Sequence, residues 1–423
     1  MKKRPPVAIT CAALACCSPF AAAQDSTSRA AVDVRAITAE VIADTSSRSS
    51  LQPAIPGGYD GAFFIQSPDR NFRLQAKGFL QFRYQANFSD GNSIGDDFES
   101  GFSNPRTLLF FQGHIFDPKL AYQIRMNFSA STGAATLDDA FVNYKIDDNW
   151  SVRAGQGLHP FSHEWWYGDL KLQTVERSLV ALVFGEQRTQ HVALQYQNDD
   201  IRSWFVISDG FRSQNTELGD DPADWAVTAR AELKTAGDWA HAGGAYTSPR
   251  GSPFAAVLGA AVHFEQGPDT GDDAPAQDLF AWTADATIKG DGWNLFLAAT
   301  GYHTEDEAGV AGADFDEYGA LAQGGVYLTD DTELFARYTI LIPDRGRDAN
   351  EVFNAIAAGA NYYIHGHAAR FTIQAEWFPD PTTDTVIGNF AGAGGRNPTG
   401  SLFGVFPSDE SQFTLSAQFQ LMF

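Results

Sequence analysis

Residues Ser411 to Phe423 alternate with a period of two. Phe413, Leu415, Ala417, Phe419, Leu421 and Phe423 share one face, and Gln412, Thr414, Ser416, Gln418 and Gln420 share the other. A strand with this pattern meets an apolar medium on one side and water on the other. The same alternation recurs along most of the chain. Beyond the first twenty-three residues no run of eighteen apolar residues occurs, so a helical membrane span is excluded. Strands with one lipid-facing side must then close into a barrel, because lipid offers no other partner for their backbone groups.

The first twenty-three residues follow different rules. Lys2, Lys3 and Arg4 precede an apolar stretch from Val7 to Phe20, and Ala21, Ala22 and Ala23 supply a small-residue cleavage site. Residues 1–23 are therefore expected to be a secretory signal peptide, with a mature start near Gln24. A lipobox ending at Cys16 is the lesser alternative, because Leu14 sits one place too close to that cysteine. All three cysteines, Cys11, Cys16 and Cys17, lie in this segment, which leaves the mature chain without disulfide chemistry. Removing the segment takes the formal charge from −23 to −26, an acidity that argues against nucleic acid or anionic lipid as a partner. The acids cluster between the alternating segments, as in Asp90, Asp96, Asp97 and Glu99 or Glu305, Asp306 and Glu307.

Residues 24–58 are polar, with one helical stripe, Ala30, Val34, Ile37 and Val41, so a periplasmic linker or a short helix is expected there. From residue 59 onward the chain is expected to be a single all-β unit. The expected fold is a sixteen-stranded antiparallel transmembrane β-barrel, with strands at about 71–88, 104–117, 119–130, 136–147, 149–157, 190–198, 200–209, 224–235, 254–266, 278–290, 292–303, 315–329, 331–342, 351–365, 368–378 and 410–423. Tight turns at 117–118, 147–149, 198–200, 290–292, 329–331 and 365–367 follow even-numbered strands, and most acid-rich insertions follow odd-numbered ones. Short periplasmic turns and longer outer loops produce this parity. One connection, 235–253, is too long for the rule, and Trp239 to Tyr246 is a possible seventeenth strand. Trp150, Trp225, Trp293 and Trp377 fall at strand ends on the lipid face, where aromatic girdles belong.

Sixteen strands enclose a lumen too wide for side chains to fill. On the inward face the first five strands carry Arg73, Lys77, Arg83, Arg106, Lys119, Arg125, Lys145 and Arg153, against Asp139 as the one clear acid. Later strands are mixed, with Arg230, Arg337 and Arg370 beside Glu232, Asp285, Glu333 and Glu376. A basic wall raises the local concentration of anions. The competing arrangement pairs these arginines with neighbouring acids and only stiffens the wall.

The third outer connection, Gly157 to Thr189, is aromatic and contains proline, too apolar to sit in bulk water, so it is expected to fold into the lumen. Arg153-Ala154-Gly155-Gln156-Gly157-Leu158-His159-Pro160-Phe161-Ser162-His163-Glu164 resembles the R-x-G-Q-x-x-x-P-F-S-x-E signature of the phosphate-selective porin O and P family. Glu176-Arg177-Ser178-Leu179 is similar to that family's E-R-S-L landmark, and Gly58 to Ile65 with Asn71 to Leu74 is similar to its opening strand. The resemblance implies a usually trimeric outer-membrane channel of a diderm bacterium. It also implies a constriction built by the third loop, here with Pro160, Phe161, Ser162, Glu164, Lys171, Arg177 and Arg188. Phosphate-specific members carry a cluster of loop lysines, and this loop has only Lys171.

Passive diffusion of small hydrophilic solutes with a mild preference for anions is the expectation, with no cofactor. The expected partners are outer-membrane lipid, lipopolysaccharide and further copies of the chain. A phosphate-specific or polyphosphate-specific channel and a plugged surface-binding barrel are the rivals. His159, His163 and Glu164 are too few to make a zinc site without a further ligand. No outward Ser and His pair as an enzymatic nucleophile would require.

Overall fold

Sixteen long strands pair each with the next in sequence, and the last pairs with the first. The computed structural model describes residues 56–89, 97–219, 223–267, 277–306, 314–344, 352–382 and 404–423. The expected signal peptide and helical stripe lie outside the described residues.

A short hairpin of β1 (Gly57–Tyr59) and β2 (Phe63–Gln66) precedes the barrel. The barrel strands of the first half are β3 (Arg73–Ser89), β4 (Phe98–Ile115), β5 (Asp117–Phe128), β6 (Ala135–Lys145), β7 (Trp150–Leu158), β8 (Arg188–Gln197), β9 (Ile201–Ser208) and β10 (Trp225–Ala236). Those of the second half are β11 (Ala255–Gln266), β12 (Gln277–Gly290), β13 (Trp293–Asp306), β14 (Phe315–Tyr327), β15 (Thr332–Ile342), β16 (Phe353–His365), β17 (Ala369–Phe378) and β18 (Gln412–Met422). Every pair is antiparallel, and β18 closes on β3 from Gln412↔Ser89 to Met422↔Phe79. The hairpin extends the sheet at the turn end of β3, where Phe63 pairs with Ala76. Each expected strand has its counterpart. The largest offset is at β4, which begins at Phe98 because Phe98 to Ser103 pair with Phe88 to Arg83 beyond a register shift that the alternation does not reveal.

Polarity is inverted relative to a water-soluble protein. Gln412, Thr414, Ser416, Gln418 and Gln420 of β18 are buried inside, whereas Phe413, Leu415, Phe419 and Leu421 are exposed outside. Trp150, Trp225, Trp293 and Trp377 are all exposed on the outer face, as the girdle argument expects.

The lumen is filled unevenly. Between β7 and β8 the third loop forms α1 (His163–Trp166) and α2 (Leu179–Val183). All five residues of α2 are buried, packed with Phe161, Phe184 and Phe211 against inward-facing Phe296, Tyr302, Leu321, Leu341 and Phe353. The loop therefore lies inside the barrel, and its apolar half occupies the side formed by β12 to β16. Burial of this apolar surface is what holds the loop in the lumen.

The possible seventeenth strand does not form. Residues Trp239–Ala242 form a short helix, α3, whose Asp238 side chain caps it by accepting from the His241 N–H at 2.8 Å. Its connection turns inward rather than pairing, burying Ala242, Thr247 and Ser248 at the periplasmic end of the lumen.

The third loop and the lumenal arginines

Gly155 lies in β7 just before the loop and allows a backbone that other residues resist. Its φ is +126°, and a Cβ there would lie 2.3 Å from the Ala140 carbonyl oxygen. The next residue, Gln156, donates through Nε2 to the carbonyls of Leu137 at 3.1 Å and Asp138 at 2.9 Å, tying the loop's root to β6. Ser162 caps α1 by accepting from the Trp165 N–H, and donates from its own N–H to Glu186 Oε1 at 3.0 Å. Glu164 reaches across to Ser178, accepting from its N–H and its Oγ–H at 2.6 Å each. Ser178 Oγ in turn accepts from the Ala181 N–H and caps α2. The two motifs that carry the family resemblance thus interlock through one carboxylate.

Barrel arginines grip the loop by its backbone. Arg83 donates to the Val175 carbonyl at 2.8 Å, Arg337 to that of Glu176 at 2.8 Å, Arg230 to that of Phe161 at 2.9 Å and Arg370 to that of Leu172. A loop buried in a lumen has no strand to satisfy its carbonyls, and the guanidinium groups do so.

Side-chain charge is mostly paired. Arg106 makes a two-pronged contact with Glu176 and lies 3.2 Å from Asp169, and Arg83 is 3.3 Å from Glu176. Arg125 lies 2.7 Å from Asp169 and 3.1 Å from Asp138, and Arg188 lies 2.6 Å from Asp139. Burial alone would raise the Glu176 carboxyl, yet Arg106 and Arg83 outweigh it and hold it at about 2. Asp169 is likewise held well below the usual carboxylate range by Arg125, Arg177 and Arg106, against the effect of burial. Burial pushes the Glu186 carboxyl up to about 8, only partly opposed by backbone and Ser162 hydrogen bonds.

Several expectations are corrected here. The wall is not a ladder of free cations, because Arg83, Arg106, Arg125 and Arg188 each hold a carboxylate, two of which come from the loop. Asp139 is not the single acid: a register shift between Arg125 and Met126 turns Asp138 inward beside it, and both are buried. Arg73 sits at the periplasmic rim, 2.9 Å from Asp60 of the hairpin and 4.2 Å from the Phe64 ring centroid. Lys145 is half exposed at the rim, 2.9 Å from Asp148 of its turn, and Lys119 is exposed near the adjoining turn. Arg188 belongs to β8 rather than to the loop.

The remaining expected residues divide in two. Pro160 and Phe161 are buried in the loop's packing, and Ser162 and Glu164 serve as caps. Lys77, Arg153, Lys171 and Arg177 make no ion pair among the described residues. Arg153 lies 4.4 Å from the Phe141 ring centroid, Arg177 4.1 Å from that of Trp165, and Lys171 5.3 Å from that of Tyr246. Lys289 joins this second group, 3.9 Å from the Tyr246 ring centroid.

His159, His163 and Glu164 do not converge. His159 bonds Thr189 and Thr228, His163 bonds Arg230 and Thr287, and Glu164 bonds Ser178.

Neither alternation nor motif marks Asp138, Asp169 or Lys289 as lumenal. A loop entering an arginine-lined lumen must bring carboxylates with it, and that was the available signal for Asp169.

Between the loop and the wall of β4 to β6 a cavity of about 140 Å³ remains, lined by Arg106, Arg125, Asp138, Asp169, Glu176 and Arg177 among others.

The family model described as phosphate-selective porin O and P matches residues 79–378. No curated protein matches the sequence. The fold is similar to the anion-selective porin from Comamonas acidovorans, at 11% identity and a TM-score of 0.57 over 83% of this chain and 99% of that one. It is also similar to the outer membrane channel DcaP of Acinetobacter baumannii, at 14% identity and a TM-score of 0.53 over 82% of this chain and 97% of the other. A third likeness is to OmpT of Vibrio cholerae, at 13% identity and a TM-score of 0.51 over 82% and 98%. With a closed sixteen-stranded barrel, an in-folded third loop and a family match over most of its length, the chain belongs to the phosphate-selective porin O and P family and is a porin of the Gram-negative outer membrane.

Proposed function

We propose that the pore passes small hydrophilic solutes passively, with a mild preference for anions set where the third loop narrows the lumen. One observation carries this reading: Lys77, Arg153, Lys171, Arg177 and Lys289 make no ion pair among the described residues, whereas lumenal carboxylates such as Asp139, Asp169 and Glu176 are already engaged by arginines. A cation whose charge is not cancelled at contact distance acts on a passing ion, and a narrow low-dielectric lumen screens it weakly. A likeness in fold to a porin whose title calls it anion-selective is in keeping with this.

Reversal potentials in a salt gradient across a planar bilayer test the proposal. An excess of chloride over potassium permeability is expected. Absence of any conductance would favour the plugged barrel, and cation preference would remove the selectivity claim.

The pore is proposed to work as a homotrimer embedded in lipid and lipopolysaccharide. Support comes from an exposed aromatic patch at the barrel's closing seam. There Phe82 and Phe102 stack at 5.4 Å, and Phe88 meets Phe98 at 5.1 Å and Phe413 at 6.3 Å. One structure of Vibrio cholerae OmpT, with a TM-score of 0.50, is titled a trimer form. Cross-linking in mild detergent that returns monomer alone would count against it. Residues 1–23 act in this reading as the removed leader and 24–58 as a periplasmic segment, so sequencing of the exported protein should begin near Gln24.

A further inference from the structure

The cavity beside the third loop contains one guanidinium that the surrounding carboxylates leave unused. Of its four arginines, Arg106, Arg125 and Arg188 each contact an acid, at 3.6 Å or less. The Arg177 guanidinium contacts none among the described residues, although its backbone N–H donates to Glu176 Oε1 at 3.3 Å. Its residue is 6% exposed, its Nε is buried without a hydrogen-bond partner, and its planar group is held over Trp165. With Asp139 at 2.6 Å from Arg188 and Arg83 at 3.3 Å from Glu176 counted in, five arginines face the four carboxylates Asp138, Asp139, Asp169 and Glu176, so the cluster carries one formal positive charge in excess. Glu164, the other acid whose field reaches Arg177, is committed to Ser178.

We propose that this cavity binds a compact monocarboxylate with a flat apolar body. The inference deepens the reading that the constriction selects solutes and rests on it. A planar carboxylate matches the two parallel donors of a guanidinium fork, a geometry that a spherical halide does not use. Leu182 and Pro105 line the same cavity and offer an apolar surface for the solute's body. The single excess charge decides the valence. A monoanion neutralises it, whereas the second charge of a phosphate dianion would lie beside Asp169 and Glu176 in a partly dry site, where like charges repel more strongly than in water. The family's description names phosphate, and this cavity disfavours it.

Calorimetric titration of the purified full-length protein with sodium benzoate and with inorganic phosphate tests the inference, alongside chloride current in planar bilayers. Benzoate is expected to bind at least about tenfold more tightly than phosphate, and Arg177→Gln to weaken benzoate by about tenfold or more. Arg177→Lys, which keeps the charge and loses the fork, is expected to fall between the two and serves if the glutamine variant does not fold. Phosphate binding as tightly as benzoate, or benzoate affinity unchanged in both variants, would overturn the proposal. Benzoate binding without chloride current would remove the channel reading and leave this site standing. Current without benzoate binding would do the reverse.

Discussion

The Glu164 carboxylate receives two hydrogen bonds from Ser178, one from its backbone N–H and one from its Oγ–H, each at 2.6 Å. This contact joins the start of the third loop to the cap of α2 across fourteen residues, and α2 is the part that packs into the lumen. Glu164→Gln and Ser178→Ala should each loosen the loop by roughly 1.5–3 kcal/mol, the scale of a hydrogen bond to a charged group. Because the two act through one contact, the double variant should cost less than the sum. Single-channel recordings should show a larger and noisier conductance, with the barrel's mobility on gels unchanged. Additive effects would mean that the two residues work separately.

Glu176 is the loop's electrostatic anchor. Glu176→Gln would remove the carboxylate that Arg83 and Arg106 share and leave Arg106 with Asp169 alone, a loss on the order of 3–5 kcal/mol for a buried pair broken on one side. The sign of its pH dependence follows from a carboxyl depressed from 4.5 to about 2. Its contribution is complete above the unfolded value and is lost as pH falls through the folded one. Urea unfolding in detergent at descending pH should show the wild type losing stability in that acid window, and the glutamine variant losing less of it.

Glu186 behaves in the opposite sense. Burial raises its carboxyl from 4.5 to about 8 while it accepts from Ser162. Its contribution is therefore complete below the unfolded value and is lost as pH rises through about 8. Thermal denaturation measured from about pH 6 to about pH 9 should fall for the wild type and stay flatter for Glu186→Gln. Other groups that titrate there are common to both proteins, so the difference between the two curves isolates Glu186. Parallel curves would show that it stays ionised.

Strand number, facing and the girdle tryptophans were legible because lipid enforces alternation residue by residue, as in Phe413 to Phe423. The loop's position inside the lumen was legible from its apolar, proline-containing composition. What alternation misses is any place where the period breaks. Asp138 looks outward-facing by parity and is buried inside because of one extra residue in β6. Pairing is equally hidden: Arg106 and Glu176 are seventy residues apart, and nothing local to either announces the other. Sequence therefore leaves a free basic wall and a paired one both open, and the cations without ion pairs among the described residues include Lys171 and Lys289, brought together around Tyr246.

That difference changes which residues should control ion preference. Replacing Lys77, Lys171 and Lys289 together by Gln should move the reversal potential toward cations. Neutralising Asp97 and Glu99 near the first outer loop should move it less, because exposed charges are screened over about 8 Å at physiological salt. Raising the salt concentration should shrink the first shift. A larger effect from the outer acids would move the control of selectivity to the mouth.

The periplasmic connection between β10 and β11 meets the third loop inside the barrel. Gln173 Nε2, with two hydrogens to give, lies within hydrogen-bond distance of Thr247 Oγ1 at 2.8 Å, Asn294 Oδ1 at 3.1 Å and Glu333 Oε1 at 2.6 Å. Thr247 also donates to Asn294 at 2.7 Å, so a segment entering from the periplasmic end and one entering from the outside share a single polar cluster. Thr247→Val should remove about 1 kcal/mol of stability, the net value of a neutral hydrogen bond, and little conductance. Replacing residues 239–248 by a short Gly-Ser turn should do more, because it takes α3 and the buried Ala242, Thr247 and Ser248 out of the lumen. Single-channel conductance should rise, and the larger increase should be for ions entering from the periplasmic side. Conductance unchanged by the replacement would mean that the third loop alone sets the narrowest section and that the periplasmic segment only supports it.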